Sequence, residues 1–393
     1  MDPQNGVRRA TQADNDRIVQ LNADWNGAAA GVEAAAALGH GSIGAPAFAV
    51  GVADGHVVST VGLLSVRFEL GAVALPVGQP EFVATDPDFR GRGLVRRQFE
   101  LVEQWSLARG DVVHMVAGIP YYYRQLGYEY AVERPPWRLV PAHVDLRRPT
   151  ACVVRLADAN DIDEIVAAQD HVQRAADLRL RYAPDLWRLL LTLPHAPVVV
   201  ATRAGVIEGV ARVAAEPGRV YLRDAAATTT DAAHALLAYS RQGAGGATMV
   251  PDRRGSAFTG ILASSGLIAG QRRWLYIRVP DPAKLLSRLR PVLSARLAES
   301  PFASESGTVV LSLYRGRLEI TYAQGEVLDV SYQRHVQEHT ADIASVPPDQ
   351  FAPLVLGPAG ARGLEEHPDV DLGPHRAFLH VLFPPLVEDV MIW

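Results

Sequence analysis

The sequence predicts an α+β protein of three consecutive domains, the second of which repeats the first. Its 393 residues exceed the length at which one hydrophobic core continues to grow, so several domains are expected. Two distant segments share one order of elements, and a later segment alternates apolar and polar residues as an antiparallel sheet does. These observations predict domains at residues 1–145, 146–285 and 286–393.

The repeat is visible where the first two units begin. Residues 9–19 read RATQADNDRIV and residues 155–166 read RLADANDIDEIV. Each has an extended start led by arginine, an acidic turn that can cap a helix and an apolar-periodic run. Residues 46–64 and 196–213 then each read as strand, glycine-containing turn and strand, the pattern of a β-hairpin. A tandem duplication explains both matches better than chance, with its boundary in the Pro- and Arg-rich stretch 134–150.

A helix and a meander are predicted for the third domain. Residues 281–300 have the spacing of an amphipathic helix, which Pro291 is expected to interrupt. Residues 307–332 alternate apolar and polar positions around the turns YRGR and AQGE, which predicts an antiparallel meander. The remaining segment, 347–393, is rich in proline and glycine and predicts no definite element.

Composition excludes several classes of function. A net charge of -5 and a pI of about 6.2 give no field that attracts nucleic acid. No apolar run reaches 18 residues and the first residues lack a signal-peptide core, so we expect a cytoplasmic protein without a membrane span. Lys284 is the only lysine and follows no glycine-rich loop, which argues against a pyridoxal-phosphate enzyme or a P-loop. The single cysteine, Cys152, is expected to be a buried structural thiol, with a nucleophile as the alternative.

The residues best suited to ligand binding lie in a loop between a strand and a helix. The strand Phe82–Thr85 runs into a loop where Gly91 and Gly93 let the backbone approach a ligand, and a helix starts near Leu94. The free N–H groups at a helix start bind a diphosphate well. Four arginines add positive charge there: Arg90, Arg92, Arg96 and Arg97. The sequence predicts a diphosphate cradle, with a solvated surface loop as the alternative; neither a P-loop GxxxxGK[ST] nor a Rossmann GxGxxG is present.

The spacing of this loop is R-x-x-G-x-G/A, with Arg90, Gly93 and Val95 at the signature places. The segment resembles motif A of the GNAT acetyltransferases, although Val95 stands where that family has glycine or alanine. The resemblance implies that loop and helix start hold the pyrophosphate of acetyl-CoA. It implies these cofactor contacts: Val83, Ala84, Thr85, Arg90, Gly91, Arg92, Gly93, Leu94, Val95, Arg96, Gly118 and Ile119.

A second stretch, GIPYYYRQLGY at 118–128, resembles GNAT motif B, in which a tyrosine precedes Gly-Tyr by four residues. Tyr123 holds that place. In the family this phenol protonates the departing CoA thiolate, so the resemblance implies that Tyr123 is the general acid. Neighbouring tyrosines are expected to be pocket wall or packing: Tyr121, Tyr122 and Tyr130. An aromatic cluster that serves only the core is the alternative.

The whole chain resembles the enhanced-intracellular-survival (Eis) type of acetyltransferase, in which two tandem GNAT folds precede a sterol-carrier-protein-like α+β domain. In that type the second unit is degenerate, and residues 219–242 here likewise contain no R-x-x-G-x-G. The resemblance implies a homo-hexamer, no metal, and a C-terminal carboxylate, here that of Trp393, as general base. The implied acceptor is a primary amine of an aminoglycoside, a polyamine-like molecule or a lysine-containing peptide. Candidate acidic wall residues, for each of which a solvated surface is the alternative, are Asp14, Asp16, Glu69, Glu129 and Glu133.

Two other classes stay open. The string HVQEH at 335–339 matches the HxxEH pattern of inverted zinc peptidases, with Glu338 as base. A third zinc ligand would have to come from Glu365, Glu366 or Glu388, and a solvated helix face is the alternative. The likeness of the third domain to sterol carriers allows a non-catalytic lipid- or acyl-CoA-binding protein.

Overall fold

Three β-sheets organise the computed structural model, which describes residues 6–144, 148, 150–242, 246–264, 272–334 and 343–392. The elements of the first part of the chain are β1 (Gly6–Arg9), α1 (Asn15–Asn26), α2 (Ala28–Gly39), β2 (Phe48–Ala53), β3 (His56–Leu70), β4 (Val73–Thr85), α3 (Leu94–Arg109), β5 (Val113–Val116) and β6 (Glu129–Arg134). With β14 (Arg273–Arg278), which comes from a later part of the chain, these strands form a sheet in the order β1-β2-β3-β4-β5-β14-β6. A side branch extends it: β9 (Leu178–Arg181) pairs with β3, and β19 (Glu388–Asp389) pairs with β9.

The second part of the chain builds a six-stranded sheet in the order β7-β13-β12-β11-β10-β8. Its elements are β7 (Trp137–Val140), β8 (Val153–Leu156), α4 (Ile162–Gln173), β9 (Leu178–Arg181), α5 (Pro184–Leu190), β10 (Val198–Arg203), β11 (Val206–Glu216), β12 (Arg219–Ala227), α6 (Thr230–Ser240), β13 (Ala247–Pro251), α7 (Phe258–Ser264) and β14 (Arg273–Arg278). Both predicted hairpins are confirmed, as β2–β3 and β10–β11. Their two-residue turns have positive φ at both positions, as hairpin turns require.

The first two segments repeat one local arrangement around a buried aspartate. Asp14 accepts two hydrogen bonds from the Arg8 guanidinium, at 2.8 and 2.9 Å. Asp161 accepts two from Arg155, at 2.6 and 2.7 Å. Each aspartate also completes a capping box ahead of the first long helix of its segment. The same ion pair therefore fixes the entry into α1 and into α4.

The first two sheets exchange strands. β14, from the second segment, lies between β5 and β6 of the first sheet, with Tyr276 opposite both Val116 and Tyr130. In return β7, which follows β6 in the chain, pairs with β13 of the second sheet. The two segments therefore complete each other's sheets. The predicted domain boundaries at residues 145 and 285 are not divisions between the sheets, and they stay predictions.

The third part of the chain contains the predicted meander, which is confirmed. Its four-stranded sheet has the order β17-β16-β15-β18. Its elements are α8 (Pro282–Ala298), β15 (Ser306–Ser312), β16 (Gly316–Ala323), β17 (Glu326–Arg334), β18 (Ala344–Ser345), α9 (Phe351–Leu356), α10 (Gly360–Leu364), α11 (Arg376–Leu382) and β19 (Glu388–Asp389). One buried cluster joins it to the first sheet, since Phe68, Leu289 and Ile320 all belong to it.

The expected interruption at Pro291 is wrong: α8 continues through that residue. Pro291 is exposed, so the carbonyl that loses its backbone donor there can be hydrated. The opposite side of the helix carries a fully buried leucine stripe on both sides of the proline: Leu285, Leu289, Leu293 and Leu297. Burial of this continuous stripe outweighs one missing hydrogen bond.

Candidate functional site

A cavity of about 710 Å³ opens where β4 separates from β5, a volume typical of small-molecule sites. The two parallel strands pair only at Val77–Val113 and Gly78–His114, after which β4 continues without β5. The cavity is lined by α1, α2, the free half of β4, the loop before α3 and the turn after β5. The opening thus places the edge of β4 that β5 leaves uncovered, while its other edge pairs with β3, directly against the loop that the sequence predicts to hold a diphosphate.

The loop before α3 needs its two predicted glycines for their backbone conformation. Gly91 and Gly93 have φ of +72° and +71°, and a Cβ at either would meet no atom within 4 Å. Space is therefore available, but the left-handed conformation is strained for any residue with a side chain. Gly93 is the N-cap of the 16-residue helix α3. The N–H groups of its first turn therefore face the cavity mouth, with the helix dipole behind them.

Two arginines frame the cavity mouth. Arg90 donates from Nε to the Thr85 carbonyl oxygen at 3.1 Å. Arg96 donates from Nη2 to the Gln125 carbonyl oxygen at 3.1 Å. Both side chains are exposed, which leaves their remaining N–H groups accessible to a ligand. Arg92 instead donates to the Asp88 carbonyl oxygen at 2.8 Å and does not line the cavity.

Eleven of the twelve predicted cofactor contacts line this cavity: Val83, Ala84, Thr85, Arg90, Gly91, Gly93, Leu94, Val95, Arg96, Gly118 and Ile119. They come from the end of β4, the loop, the start of α3 and the turn after β5. Arg92 is the exception. The structure therefore brings together residues that the sequence separates by up to 36 positions, from Val83 to Ile119.

A backbone irregularity changes the orientation of the end of β4. Phe82 has φ of +56°, which is unusual for an aromatic residue, and the β3–β4 register shifts between Thr60 and Gly62 opposite it. Such a bulge rotates the following peptide groups relative to the strand. Just beyond it, Asn26 of α1 donates from Nδ2 to the Val83 carbonyl oxygen at 3.2 Å. Backbone strain of this kind concentrates at functional sites.

Tyr123 lies in the wall of the cavity, 5% exposed. Its ring packs against Gly118, where a Cβ would stand 2.5 Å from Cε2. On another side it meets the ring of Tyr276 of β14, with centroids 5.6 Å apart. Burial raises the pKa of the Tyr123 phenol well above its usual value, and the charge of Glu81 raises it further. At neutral pH the phenol is therefore protonated and can donate a proton.

The other tyrosines of the motif differ in place. Tyr122 lines the cavity and meets Tyr123 edge-on, with centroids 5.2 Å apart. Tyr121 is 73% exposed, and its N–H donates to the Tyr276 oxygen at 2.5 Å. Tyr130 stacks on Tyr276 with centroids 4.0 Å apart, so it packs behind the cavity.

Two acidic side chains that the sequence did not single out line the cavity: Glu33 of α2 and Glu81 of β4. Burial raises the pKa of Glu81 to about 7; a hydrogen bond from Gln79 Nε2, 2.9 Å long, opposes this shift, and the charge of Glu33 adds to it. Glu33 Oε1 lies 3.0 Å from Nε2 of His195, which belongs to the loop between α5 and β10. The sequence did carry a signal for Glu81, since it is a charged residue at the end of the otherwise apolar stretch before Phe82.

The acidic residues proposed for the wall are absent from the cavity lining. Asp14 pairs with Arg8, Glu69 with Arg179 and Arg181, and Glu129 with Arg124. Glu133 faces Arg272 at 3.6 Å, and Asp16 is exposed. The solvated-surface alternative fits Asp16, whereas Asp14, Glu69 and Glu129 are buried in ion pairs.

Three further candidate sites from the sequence lie outside this cavity or outside the described residues. Trp393 and the HVQEH string lie outside the described residues. Cys152 is 7% exposed in the core of the second sheet, away from the cavity, and burial raises the pKa of its thiol.

Within the described ranges no group of three His, Cys, Asp or Glu residues is placed to hold a metal ion. No helix in those ranges is long and apolar enough to span a bilayer.

The family match of residues 7–131 identifies the protein as an acyltransferase. Residues 7–131, about a third of the chain, match the family model described as acetyltransferase (GNAT) domain. Domains of this family use acetyl-CoA. The match includes the β4 end, the glycine and arginine loop, and Tyr123.

Solved structures share the fold over nearly the whole chain. A protein of unknown function and probable N-acyltransferase from Enterococcus faecalis is 15% identical with a TM-score of 0.72, and the match covers 99% of both chains. A GCN5-related N-acetyltransferase from Kribbella flavida is 17% identical, with a TM-score of 0.69 and 99% of both chains covered. Eis1 from Mycobacterium abscessus is 15% identical, with a TM-score of 0.60 and 96% of both chains covered. No curated protein matches the sequence.

Proposed function

We propose that the protein transfers the acetyl group of acetyl-CoA to a primary amine, as an N-acetyltransferase of the Eis type. The observation that carries this proposal is the cavity beside the opened β4–β5 pair, which gathers eleven of the predicted cofactor contacts and Tyr123. The full-length fold likeness to Eis1 and to two N-acyltransferase structures supports the wider architecture. In this proposal two GNAT units, 1–145 and a degenerate 146–285, precede a sterol-carrier-like domain, 286–393.

The residues of the cavity fit acetyl-CoA. The left-handed glycines and the start of α3 present N–H donors to a diphosphate, and Arg90 and Arg96 add positive charge. The free half of β4 offers backbone donors near Val83–Thr85 to a pantetheine chain and to the thioester carbonyl oxygen. Acetyl-CoA supplies the activated acyl group, and the chain supplies position and proton transfer.

In the proposed mechanism the amine nitrogen attacks the thioester carbon directly within a ternary complex. A C–N bond forms and the C–S bond breaks, so one proton must leave the amine and one must reach the sulfur. Tyr123 donates the proton to sulfur; burial keeps its phenol protonated at neutral pH, so the proton is available for transfer. The terminal carboxylate of Trp393 accepts the proton from the amine; to act as a base at neutral pH, its pKa must be raised by its surroundings.

The acceptor end of the cavity favours a cationic amine. Glu33 and Glu81 face it, and the arginines lie at the diphosphate end. An aminoglycoside, a polyamine or a lysine side chain presents an ammonium group to such a pair. As for the Eis type, we also propose a hexamer in the cytoplasm; light scattering after gel filtration measures the assembly.

Two experiments test the proposal. Isothermal titration measures acetyl-CoA binding, and a thiol-release assay measures turnover with kanamycin, spermidine and a lysine-containing peptide. We expect binding and turnover of at least one amine; absence of acetyl-CoA binding would refute the proposal. Tyr123→Phe, or deletion of Trp393, should lower kcat by about 10²-fold or more while acetyl-CoA affinity is unchanged. Unchanged kcat in both variants would remove both residues from the mechanism.

A further inference from the structure

Helix α2, which forms one wall of the cavity, rests on the second segment. Ala30 and Glu33 of this helix line the cavity. Ala36 packs against a buried cluster of the second segment that contains Trp187. Glu33, Ala36 and His40 are spaced at i, i+3 and i+7, so they lie on one side of the helix. The position of this part of the cavity wall therefore depends on the second segment.

Histidines make polar contacts between α2 and the second segment. His195, in the loop after α5, has its Nε2 3.0 Å from Oε1 of Glu33. His40, which follows the last residue of α2, has its Nε2 3.6 Å from Oδ1 of Asp185 in α5. Ser42 donates from Oγ to the same carboxylate at 2.6 Å. Of these contacts, the one made by His195 involves a residue that lines the cavity, whereas the residues of the others do not line it.

The carboxylate of Glu33 is bound through one oxygen and available through the other. In the part of the chain that the structure describes, its hydrogen-bond partner is His195 alone. Oε2 can therefore meet a ligand in the cavity that Glu33 lines. The two side chains are 23% and 22% exposed, so water has limited access to the contact. Because ordering a long side chain costs free energy on binding, a partner that already holds Glu33 favours binding of a ligand there.

The environment of His195 favours a neutral imidazole. Its Nδ1 is buried and meets no hydrogen-bond partner among the described residues. A doubly protonated ring would bury an unpaired charged N–H group at that place, which costs more than an unpaired neutral nitrogen. The neutral ring carries its proton on Nε2 and donates it to the hydrogen bond with Glu33. Glu33 then keeps its full negative charge for a cation in the cavity.

Glu33 and Glu81 lie on different walls of the same cavity. Glu81 directly precedes the bulge at Phe82, and after burial its charge is the next cause that raises the pKa of Tyr123, the proposed acid. Burial contributes most to the raised pKa of Glu81, and the charge of Glu33 on α2 adds to it. The two carboxyl groups therefore interact across the cavity. One acceptor molecule can place its reacting nitrogen beside Glu81 and present another cationic group to Glu33.

We propose that His195 of the second segment positions the Glu33 carboxylate as a subsite for a second cationic group of the acceptor, so that diamines bind in preference to monoamines. This inference rests on the proposed function, in which the cavity binds acetyl-CoA and an amine. His195 is a positioning residue: it acts through Glu33 and does not line the cavity. The second segment, which has no cofactor motif of its own, thereby takes part in acceptor selection.

The test compares amines of equal length that differ in one ammonium group. Diamines with three to six methylene groups are each matched with the monoamine of the same chain length. Titration into the full-length protein saturated with CoA measures their Kd without turnover, and thiol release with acetyl-CoA gives KM and kcat. The variants are Glu33→Gln, His195→Ala, His195→Gln and the double variant Glu33→Gln/His195→Ala. His40→Ala is the matched control, because it removes the other histidine contact with the second segment and its partner Asp185 does not line the cavity.

We expect the wild type to bind its best diamine at least about tenfold more tightly than the matched monoamine, which is more than two equivalent ends explain. Glu33→Gln should reduce this preference to below about threefold, because it removes the charge that the second ammonium group meets. His40→Ala should leave the preference unchanged.

His195→Ala should weaken diamine binding about fivefold, because Glu33 must then be ordered by the ligand. The monoamine Kd, the acetyl-CoA Kd and the kcat at saturation should each stay within about twofold of wild type, whereas loss of a merely structural contact would weaken both amines alike. His195→Gln should keep the diamine preference, since its amide can donate to Glu33. In the Glu33→Gln background, His195→Ala should cost less than about twofold more, because the charge that it positions is already absent.

Several outcomes would overturn the inference while the proposed function stands, provided that acetyl-CoA binds. Equal Kd values for diamine and monoamine in the wild type, or no binding of either, would show that no second cationic group is recognised. A preference that survives in Glu33→Gln would place the subsite elsewhere. A preference that survives in His195→Ala, or is lost equally in His40→Ala, would show that His195 does not position Glu33. Absence of acetyl-CoA binding would instead refute the proposed function and this inference with it.

Discussion

Replacing Gly118 by alanine places a methyl group against the ring of Tyr123. The new Cβ would lie 2.5 Å from Cε2 and 3.0 Å from the phenol oxygen. Carbon atoms in contact prefer about 3.5–4.0 Å, so the ring or the turn that carries it must move by about 1 Å. No positive φ occurs at Gly118, so alanine strains the packing and not the backbone.

The expected size of the loss of kcat in Gly118→Ala follows from the role proposed for Tyr123. A misplacement of about 1 Å costs on the order of 10²-fold in rate, which equals about 2.7 kcal/mol of transition-state free energy. Overpacking costs about 1–3 kcal/mol of folding free energy, which lowers the melting temperature but leaves most of the protein folded. We therefore expect Gly118→Ala to lower kcat by about 10- to 100-fold.

Steady-state thiol release gives kcat, and isothermal titration gives the acetyl-CoA affinity. Gly39→Ala is the control, since a Cβ at this exposed position in α2 meets no atom within 4 Å; it should leave kcat unchanged. In the Tyr123→Phe background, Gly118→Ala should cost less than threefold more, because the phenol oxygen is already gone. Undiminished kcat in Gly118→Ala, or full additivity of the two changes, would refute the role assigned to the ring position.

Three further outcomes are expected. Gly93→Ala, at φ of +71°, should strain the N-cap of α3 and weaken acetyl-CoA binding by about tenfold in a titration, with a smaller effect on kcat at saturation; equal affinity would argue against the cradle. Glu81→Gln should remove a pH dependence of stability: the folded pKa of Glu81 is raised from 4.5 to about 7, so the wild type loses stability as pH rises across that window. About 2.5 pH units at about 1.4 kcal/mol each give about 3.5 kcal/mol in total, measured as a widening gap between variant and wild type in urea unfolding from about pH 4 to 8; parallel curves would contradict it. Tyr276→Phe removes the acceptor for the Tyr121 N–H behind Tyr123 and should lower kcat about three- to tenfold at unchanged acetyl-CoA affinity; wild-type kcat would show that this hydrogen bond is dispensable.

The diphosphate loop could be predicted because its determinants are local. Two glycines with positive φ, arginines and a helix start all lie within a few residues of Arg90. The hairpins and the meander were predictable for the same reason, since turn residues and period-two alternation fix them at short range.

The exchange of β7 and β14 was not predictable, because pairing between distant strands depends on the partner surface and leaves no local pattern. The acidic residues of the cavity wall, Glu33 and Glu81, were not predicted for a similar reason. Glu33 lies in an alanine-rich helix, and only the tertiary fold brings it to Glu81 and His195. Four of the five acids named from the sequence stand next to arginines in space, which spacing along the chain does not reveal.

The exchanged strand has a consequence for how the protein is made. During synthesis from the N-terminus, β5 and β6 emerge long before β14, which must insert between them. Until residue 278 has left the ribosome, both strands have unpaired edges, which are templates for aggregation. A fragment that ends at residue 145 would retain those edges permanently and lack the ring of Tyr276 behind Tyr123. We therefore expect the nascent first segment to depend on chaperones, and its sheet to close only after the second segment has been translated.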